Sequence, residues 1–545
     1  MDTDVTRTAA EPRDGDKLYK WLALGVLVIG TFNAILNSSI VNVAIPKMMT
    51  VFGVSTTQIQ WVVTAYMLTM GSVIPLTGYL ADRFGTKKLY IWSVVIFTIG
   101  SACCGVAWSS STMVFSRVIQ GLGAGMIMPI SMAMVFQMFP VRERGTAIGV
   151  FGIATMAAPA IGPTLSGYIV EFMNWRLIFT INIPLGILAV LLAIFLLREG
   201  QTRPVGKFDI PGFLTSTLGL VSVLYILGEG TSLDWGDFKN VFITMFGVFS
   251  LIVFVIIQLT REDPLLDLRI FRYGAFSLSI IISSVLNIAL FGGIFLIPLY
   301  LQNLQSLSAM QTGLILLPAA MASGVMMPIS GKLFDLFGSK IVVIPGLILV
   351  VWASYGLTKI DLDTSISTIT WLMIWRGFGM GLSMMPSQTV GMNVIPPHLI
   401  AQASAVSNVV RQVAAAMGLT LLTTVMQHQQ AVSYAGLSQH INVFNYAATQ
   451  AMAGIQGLYS ANGYPAEAAG AAIATLYALV QKQAAMLALN DTFVVALLIA
   501  TLTIPLAFFL PNKGVVADSS EGETKATPPD NNKPGGLLDN GPPRF

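Results

Sequence analysis

Apolar runs of about 20 residues recur along this chain, each long enough to carry a helix across the hydrocarbon core of a bilayer. We read fourteen of them, at residues 20–45, 56–80, 89–107, 112–137, 145–170, 177–197, 211–229, 240–260, 275–301, 310–333, 341–358, 366–390, 401–427 and 489–510. In lipid every backbone N–H and C=O must be satisfied internally, so runs of this length can only be helices. Charged residues are 10% of the 545 and apolar residues 54%, against about a quarter charged in a soluble domain. Lipid is therefore the main solvent, and the expected fold is an all-α membrane protein.

An even number of spans puts both termini on one side, and Lys and Arg decide which. With the termini cytoplasmic, the inner segments hold 21 of the 29 Lys and Arg, and the outer segments hold Lys47, Arg176, Lys239, Lys359 and Lys482. Arg117, Arg376 and Arg411 lie within spans. Net charge is only +3, so placement carries the information and total charge does not. Cys103 and Cys104 are the two cysteines, adjacent in an apolar run; they make no disulfide framework. The first apolar run is too long for a cleaved signal and reads as a retained helix. Residues 1–19 and 512–545 read as disordered cytoplasmic tails. Residues 428–488 read as an external insertion, folded as a hairpin or amphipathic segment.

The stretch from Gly78 to Lys88 is a short charged turn between two spans, with Asp82, Arg83, Lys87 and Lys88 bracketed by Gly78 and Gly85. A weaker copy follows at an offset of 253: Gly331, Asp335, Gly338 and Lys340. Two more matches fall at an offset of 256, Gly121, Gly123 and Gly125 on Gly377, Gly379 and Gly381, and Gly162 on Gly418. Three matches in register predict a parallel repeat of six helices, with two helices inserted between the copies. Parallel halves with a site at their interface are a transporter construction. The expected layout is a six-helix bundle at 20–200, two linker helices within 201–272, and a second bundle at 273–511.

These residues resemble the major facilitator superfamily, and more narrowly its fourteen-helix drug:proton antiporters of the EmrB/QacA type. The matching motifs are Gly78-x-Leu80-Ala-Asp82-Arg83-x-Gly85-x-Lys87-Lys88, Arg117-x-x-Gln120-Gly121-x-Gly123-x-Gly125, Gly162-Pro163-x-x-x-Gly167, Trp175 to Gly186, and Pro264 to Phe271. The resemblance implies a clasp between the halves at Asp82 and Arg83, with Asp335 as its copy, proton coupling at Arg117, and an antiporter motif at Gly162, Pro163 and Gly167. Efflux rather than uptake follows from that motif. Independently, an arginine inside a span is expensive and is a functional candidate on that ground alone. The three glycines after Arg117 let helices approach closely; no strand precedes them, so they are no nucleotide site.

The first span departs from the family pattern, with Asn37 where the family has an acid. The acids nearest to span interiors are Glu171 and Asp491. Two readings follow: Glu171, Asp491 or Asp82 carries the exchangeable proton, or the embedded arginines favour anionic or amphipathic substrates. A polar face on the thirteenth span, Ser404, Asn408 and Arg411, points to a cavity role for Arg411, while Arg376 is equally well read as packing. Further cavity candidates are Asn33, Asn37, Gln60, Trp61, Tyr66, Gln120, Asn287 and Gln302.

No nucleophile–base pair, phosphate loop or metal-ligand spacing appears, so we expect no enzyme, cofactor, metal or nucleic-acid partner. The reading is an exporter of hydrophobic or amphipathic compounds in the cell membrane, exchanging small-molecule substrate for protons by alternating access. Its partners are the lipid bilayer and, where the host has two membranes, a periplasmic adaptor protein. An exporter of a lipid or anionic metabolite, or a non-transporting membrane sensor, is the alternative.

Overall fold

The computed structural model describes residues 14–200, 208–229, 233–439, 441, 445–461 and 468–512. The expected tail at 512–545 beyond its first residue, the start of the N-terminal tail, and Arg203 and Lys207 lie outside them. All regular secondary structure among the described residues is helical, with no strand among them. In chain order the helices are α1 (Asp14–Phe52), α2 (Thr56–Val73), α3 (Leu76–Phe84), α4 (Thr86–Gly105), α5 (Ser110–Met138), α6 (Arg144–Phe172), α7 (Leu177–Thr180) and α8 (Asn182–Leu196). Then come α9 (Ile210–Glu229), α10 (Phe238–Thr260), α11 (Gly274–Leu299), α12 (Ala309–Phe337), α13 (Ser339–Leu357) and α14 (Ile366–Asn393). The last four are α15 (Ile400–Gln439), α16 (Tyr446–Ala461), α17 (Ala468–Thr501) and α18 (Thr503–Ala507).

Among the described residues twelve helices are long and apolar enough to cross a membrane, or thirteen if α2 and α3, bent by 55°, form one span. The expected count of fourteen is not reached. The difference is α14, which is 28 residues long but broken up by Arg376, Gly377, Gly379, Gly381 and several Ser and Thr. Most of its second half is buried in protein, so its neighbours, not its own hydropathy, keep it out of water.

The charged turn at Gly78–Lys88 is not a loop but a helix–glycine–helix corner. Gly85 has φ 89° and Gly338, its repeat partner, has φ 89°, with ψ near the extended value at both. L side chains avoid that region at a cost of about 1–3 kcal/mol, so glycine is required at both corners. Each glycine N–H closes the preceding helix, on Ala81 O (3.0 Å) and Phe334 O (2.9 Å). The helix that follows each corner is capped by a distant segment. Glu199 Oε1 accepts from Lys87 N (3.2 Å), while Lys87 Nζ donates back to Ile194 O at the end of α8 (2.8 Å). In the second half Ser339 N donates to Asn512 O (2.8 Å) and its hydroxyl to Pro511 O (2.7 Å).

The described part of the insertion is mainly helical. α15 runs on to Gln439 and α17 starts at Ala468, so the helices expected to end at 427 and to begin at 489 are extended on that side. At about 1.5 Å per residue, 40-residue α15 is roughly 60 Å long, twice a bilayer core of about 30 Å. Tyr434 and Tyr477 meet edge-on at 5.8 Å to hold the two extensions together. In the α13–α14 link the Thr364 hydroxyl donates to the Asp361 carboxylate (2.6 Å) and holds that group below its usual range. Tyr300, at the start of a π-helical turn after α11, donates to Asp361 O (2.7 Å).

A candidate substrate cavity between the two halves

α6 of the first half and α12 of the second pair antiparallel along nearly their whole length. A Cβ built on Gly145 would collide with Gly331, one on Gly149 with Met327 and Pro328, one on Gly313 with Thr164, and one on Gly167 would lie 3.7 Å from Met310 Cβ. Glycine at these positions lets the two backbones touch. The spacing Gly145, Gly149, Gly152 is visible in the sequence and was the missed signal for this seam.

At one end the seam is locked by Asp335. Its carboxylate accepts from Gly145 N (2.9 Å), Thr146 N (2.9 Å) and Thr146 Oγ1 (2.7 Å). The two backbone donors are free N–H groups of the first turn of α6, where the helix dipole also favours an anion. At the same end Arg144 NH1 donates to Asn393 Oδ1 (3.1 Å), and Ser404 Oγ on α15 donates to Pro129 O on α5 (2.8 Å). The two halves therefore meet here on both sides of their interface. Asp82 occupies the matching place in the first half. It lines a cavity of about 500 Å³ with Arg144, Arg198, Glu199 and His398, and Gly78 abuts Gln402 of α15. Arg83 donates to the Tyr79 hydroxyl (2.8 Å) and lies over Phe84.

Away from that end a second cavity of about 530 Å³ lies between the halves. α1 and α6 supply Ser39, Asn42, Met156, Pro159 and Pro163, while α11, α12, α14 and the π-helical turn supply Ile294, Gln302, Thr312, Ser323 and Arg376. Pro159 and Pro163 both interrupt the hydrogen-bond ladder of α6. Gly162 beside them makes room for Ser39.

Of the cavity candidates read from sequence, Gln302 lines this space. Arg117, Tyr66 and Gln120 form a buried network inside the first half. Arg117 Nε donates to Val62 O (2.9 Å) and NH1 to Gln120 Oε1 (2.6 Å), its guanidinium lies 3.9 Å from the Tyr66 ring centre, and Gln120 Nε2 donates to Ser101 Oγ (2.7 Å). Asn33 and Asn37 join α1 to α8: Asn33 donates to Asn182 O (3.1 Å), and Asn182 donates to Asn37 Oδ1 (3.1 Å). Among the described residues no acid belongs to this network. Asn287 is buried and donates to Ser283 O (2.8 Å). Gln60 is exposed, and Trp61 is partly exposed, stacked on Tyr225 of α9 at 6.1 Å. Glu171 and Asp491 are exposed and line neither cavity.

Of the two remaining arginines, the sequence points to a cavity for Arg411 and leaves Arg376 open between packing and function. Arg411 is buried beside a space of about 10 Å³, donating to Asn408 Oδ1 (2.8 Å) and to Met132 Sδ (3.8 Å). Arg376 faces the large cavity. The repeat offset of 256 aligns Arg376 with Gln120, each just before its glycine run, and that alignment marks the position.

The inserted helices are pinned by a cluster that the sequence did not reveal. Asp209 is buried before α9 and accepts from Gly212 N (2.9 Å), Gln258 Nε2 (2.8 Å) and Arg261 NH1 (3.0 Å). α9 packs on α2 and on α15, where Thr420 Oγ1 donates to Leu227 O (2.6 Å). The pair thus covers the α2–α15 side of the interface, opposite the α6–α12 seam.

Two helical halves meeting around a central cavity, built almost wholly of helices that could span a bilayer, define a membrane transporter. The chain belongs to the Major Facilitator Superfamily, whose family model matches residues 27–419. It is 41% identical over 413 residues to the uncharacterized MFS-type transporter YhcA of Bacillus subtilis, covering 76% of this chain and 78% of that one. It is 31% identical over 438 residues to the multidrug export protein EmrB of Escherichia coli, covering 79% and 85%. Among solved structures the proton:xylose symporter XylE superposes with a TM-score of 0.56 at 15% identity, covering 93% of this chain and 99% of that one; this likeness concerns the fold.

Proposed function

We propose that this protein is a secondary active exporter of hydrophobic or amphipathic compounds, exchanging them for protons by alternating access. The observation that carries the reading is the cavity between α1, α6 and α11, α12, α14, closed at one end by Asp335 on the α6 N-terminus. Its size suits a drug-sized ligand, and its lining is mainly apolar. The multidrug export by EmrB supports the direction of transport. In this reading the Asp335 end and both termini are cytoplasmic, an orientation supported by the excess of Lys and Arg there. The halves at 20–200 and 273–511 rock against each other, with the inserted pair as a seal between α2 and α15. Asp82 and Asp335 are the paired clasps, Arg117 couples protons within its amide network, and the helical insertion is the surface open to an adaptor. The test is substrate-dependent proton release from purified protein. Release of protons on substrate addition at pH 7, absent without substrate, is expected; binding with no proton release at any pH would refute proton exchange.

A further inference from the structure

Among the described residues Arg376 is the one charged residue lining the central cavity, and no Asp or Glu faces it. The residue lies about 15 Å along α14 from Ile366, near the middle of that helix. Its guanidinium lies over Gly293 of α11, where any Cβ would collide with it, and one NH2 group donates to Ala289 O. A guanidinium carries five N–H donors in a planar fork, and no side chain among the described residues pairs with this one. Arg117 and Arg411 differ: each has a side-chain oxygen as partner and neither lines the cavity. A buried guanidinium with neither a counter-ion nor a side-chain partner is costly, and is a functional candidate on that ground.

We propose that Arg376 binds the head of the transported compound, and that the favoured substrates are amphiphiles with a single anionic group, a carboxylate, sulfonate or phosphate. The planar fork matches such an oxyanion bidentately. Met156, Leu290, Ile294, Leu316, Met373 and Met380 line the same space and receive the apolar body, with methionine able to follow different shapes. A cationic head finds no carboxylate there. This inference rests on the cavity's being the transport site, and it specifies the substrate class.

The test compares binding of 8-anilinonaphthalene-1-sulfonate with its sulfonate-free analogue N-phenyl-1-naphthylamine. Full-length protein in phosphatidylcholine nanodiscs is titrated with each, with empty discs subtracted. Wild type is expected to bind the sulfonate more tightly. Arg376→Gln should weaken the sulfonate about tenfold or more and change the neutral analogue less than twofold, with Arg376→Lys in between. Equal losses for both probes, or no loss for the sulfonate, would overturn the proposal. If Arg376→Gln does not fold, the wild-type pair decides: equal or weaker binding of the sulfonate overturns it. Discs containing phosphatidylglycerol separate the sources of the head group. Competition with the sulfonate in wild type makes lipid a ligand of Arg376, and absence of competition assigns the site to free amphiphiles. Because binding is read without transport, absence of proton release in the same preparation would count against proton exchange and leave this site standing.

Discussion

Asp335 holds two segments together that lie about 190 residues apart, and it does so with three hydrogen bonds to one carboxylate. A hydrogen bond to a charged group contributes about 1.5–3 kcal/mol. Asp335→Asn removes the charge and turns an amide N–H toward the N–H groups of α6. We expect that end of the interface to open about 10- to 100-fold more often. The check is the labelling rate of a cysteine placed at Met327, which packs beneath Gly149 and Gly152, by a thiol reagent added on that side. An unchanged rate would mean that helix packing alone keeps the end closed. Arg117 shows the other use of a buried polar residue. Its partners are carbonyls, an amide and the Tyr66 ring, all within its own half, so it ties helices within one half and spans no interface.

The α6–α12 pair depends on what its glycines lack. A Cβ on Gly149 would sit 2.9 Å from Pro328 Cα, closer than backbone atoms tolerate. Overpacking of this kind costs about 1–3 kcal/mol, and here it would fall on the contact between the halves. Gly149→Leu should therefore leave each half folded, with the unfolding temperature little changed, and reduce transport at least tenfold. Wild-type transport by this variant would show that the seam does not need to close so tightly. α14 makes a related point: its glycines and serines lower its hydropathy below that of its neighbours, yet they let it nest between α12 and α13.

Across the whole protein, the two halves touch on both sides at the Asp335 end and enclose the cavity toward the other. Alternation would require α6 and α12 to separate at their Gly167–Met310 end in part of the cycle. The two Cβ positions lie 3.7 Å apart, within the disulfide range of about 3.5–4.5 Å. A Gly167→Cys, Met310→Cys pair, in a background without Cys103 and Cys104, should form a bond on mild oxidation. Transport in proteoliposomes should then stop and return on reduction. Continued transport with the bond formed would exclude rocking about this seam.

That the chain is a helical membrane protein of the Major Facilitator Superfamily was legible in its residues. Those properties rest on run length, charge placement and motif spacing, all of which are local and additive. Even the matched corners at Gly85 and Gly338 were marked in advance, because only glycine takes that backbone conformation. Where each polar residue comes to lie is settled only when the chain is folded. Arg376 and Arg411 are both embedded arginines on polar helix faces, and periodicity cannot say which face turns to the other half and which to its own bundle. Asp82 and Asp335 are copies in sequence, but only the docking of one bundle on the other shows Asp335 at the first turn of α6. The Asp209 cluster stayed hidden for the same reason, since its acid and its partners at Gln258 and Arg261 are far apart in the chain. Where two bundles are positioned as bodies, the placement sums over many contacts at once, and no stretch of sequence contains it.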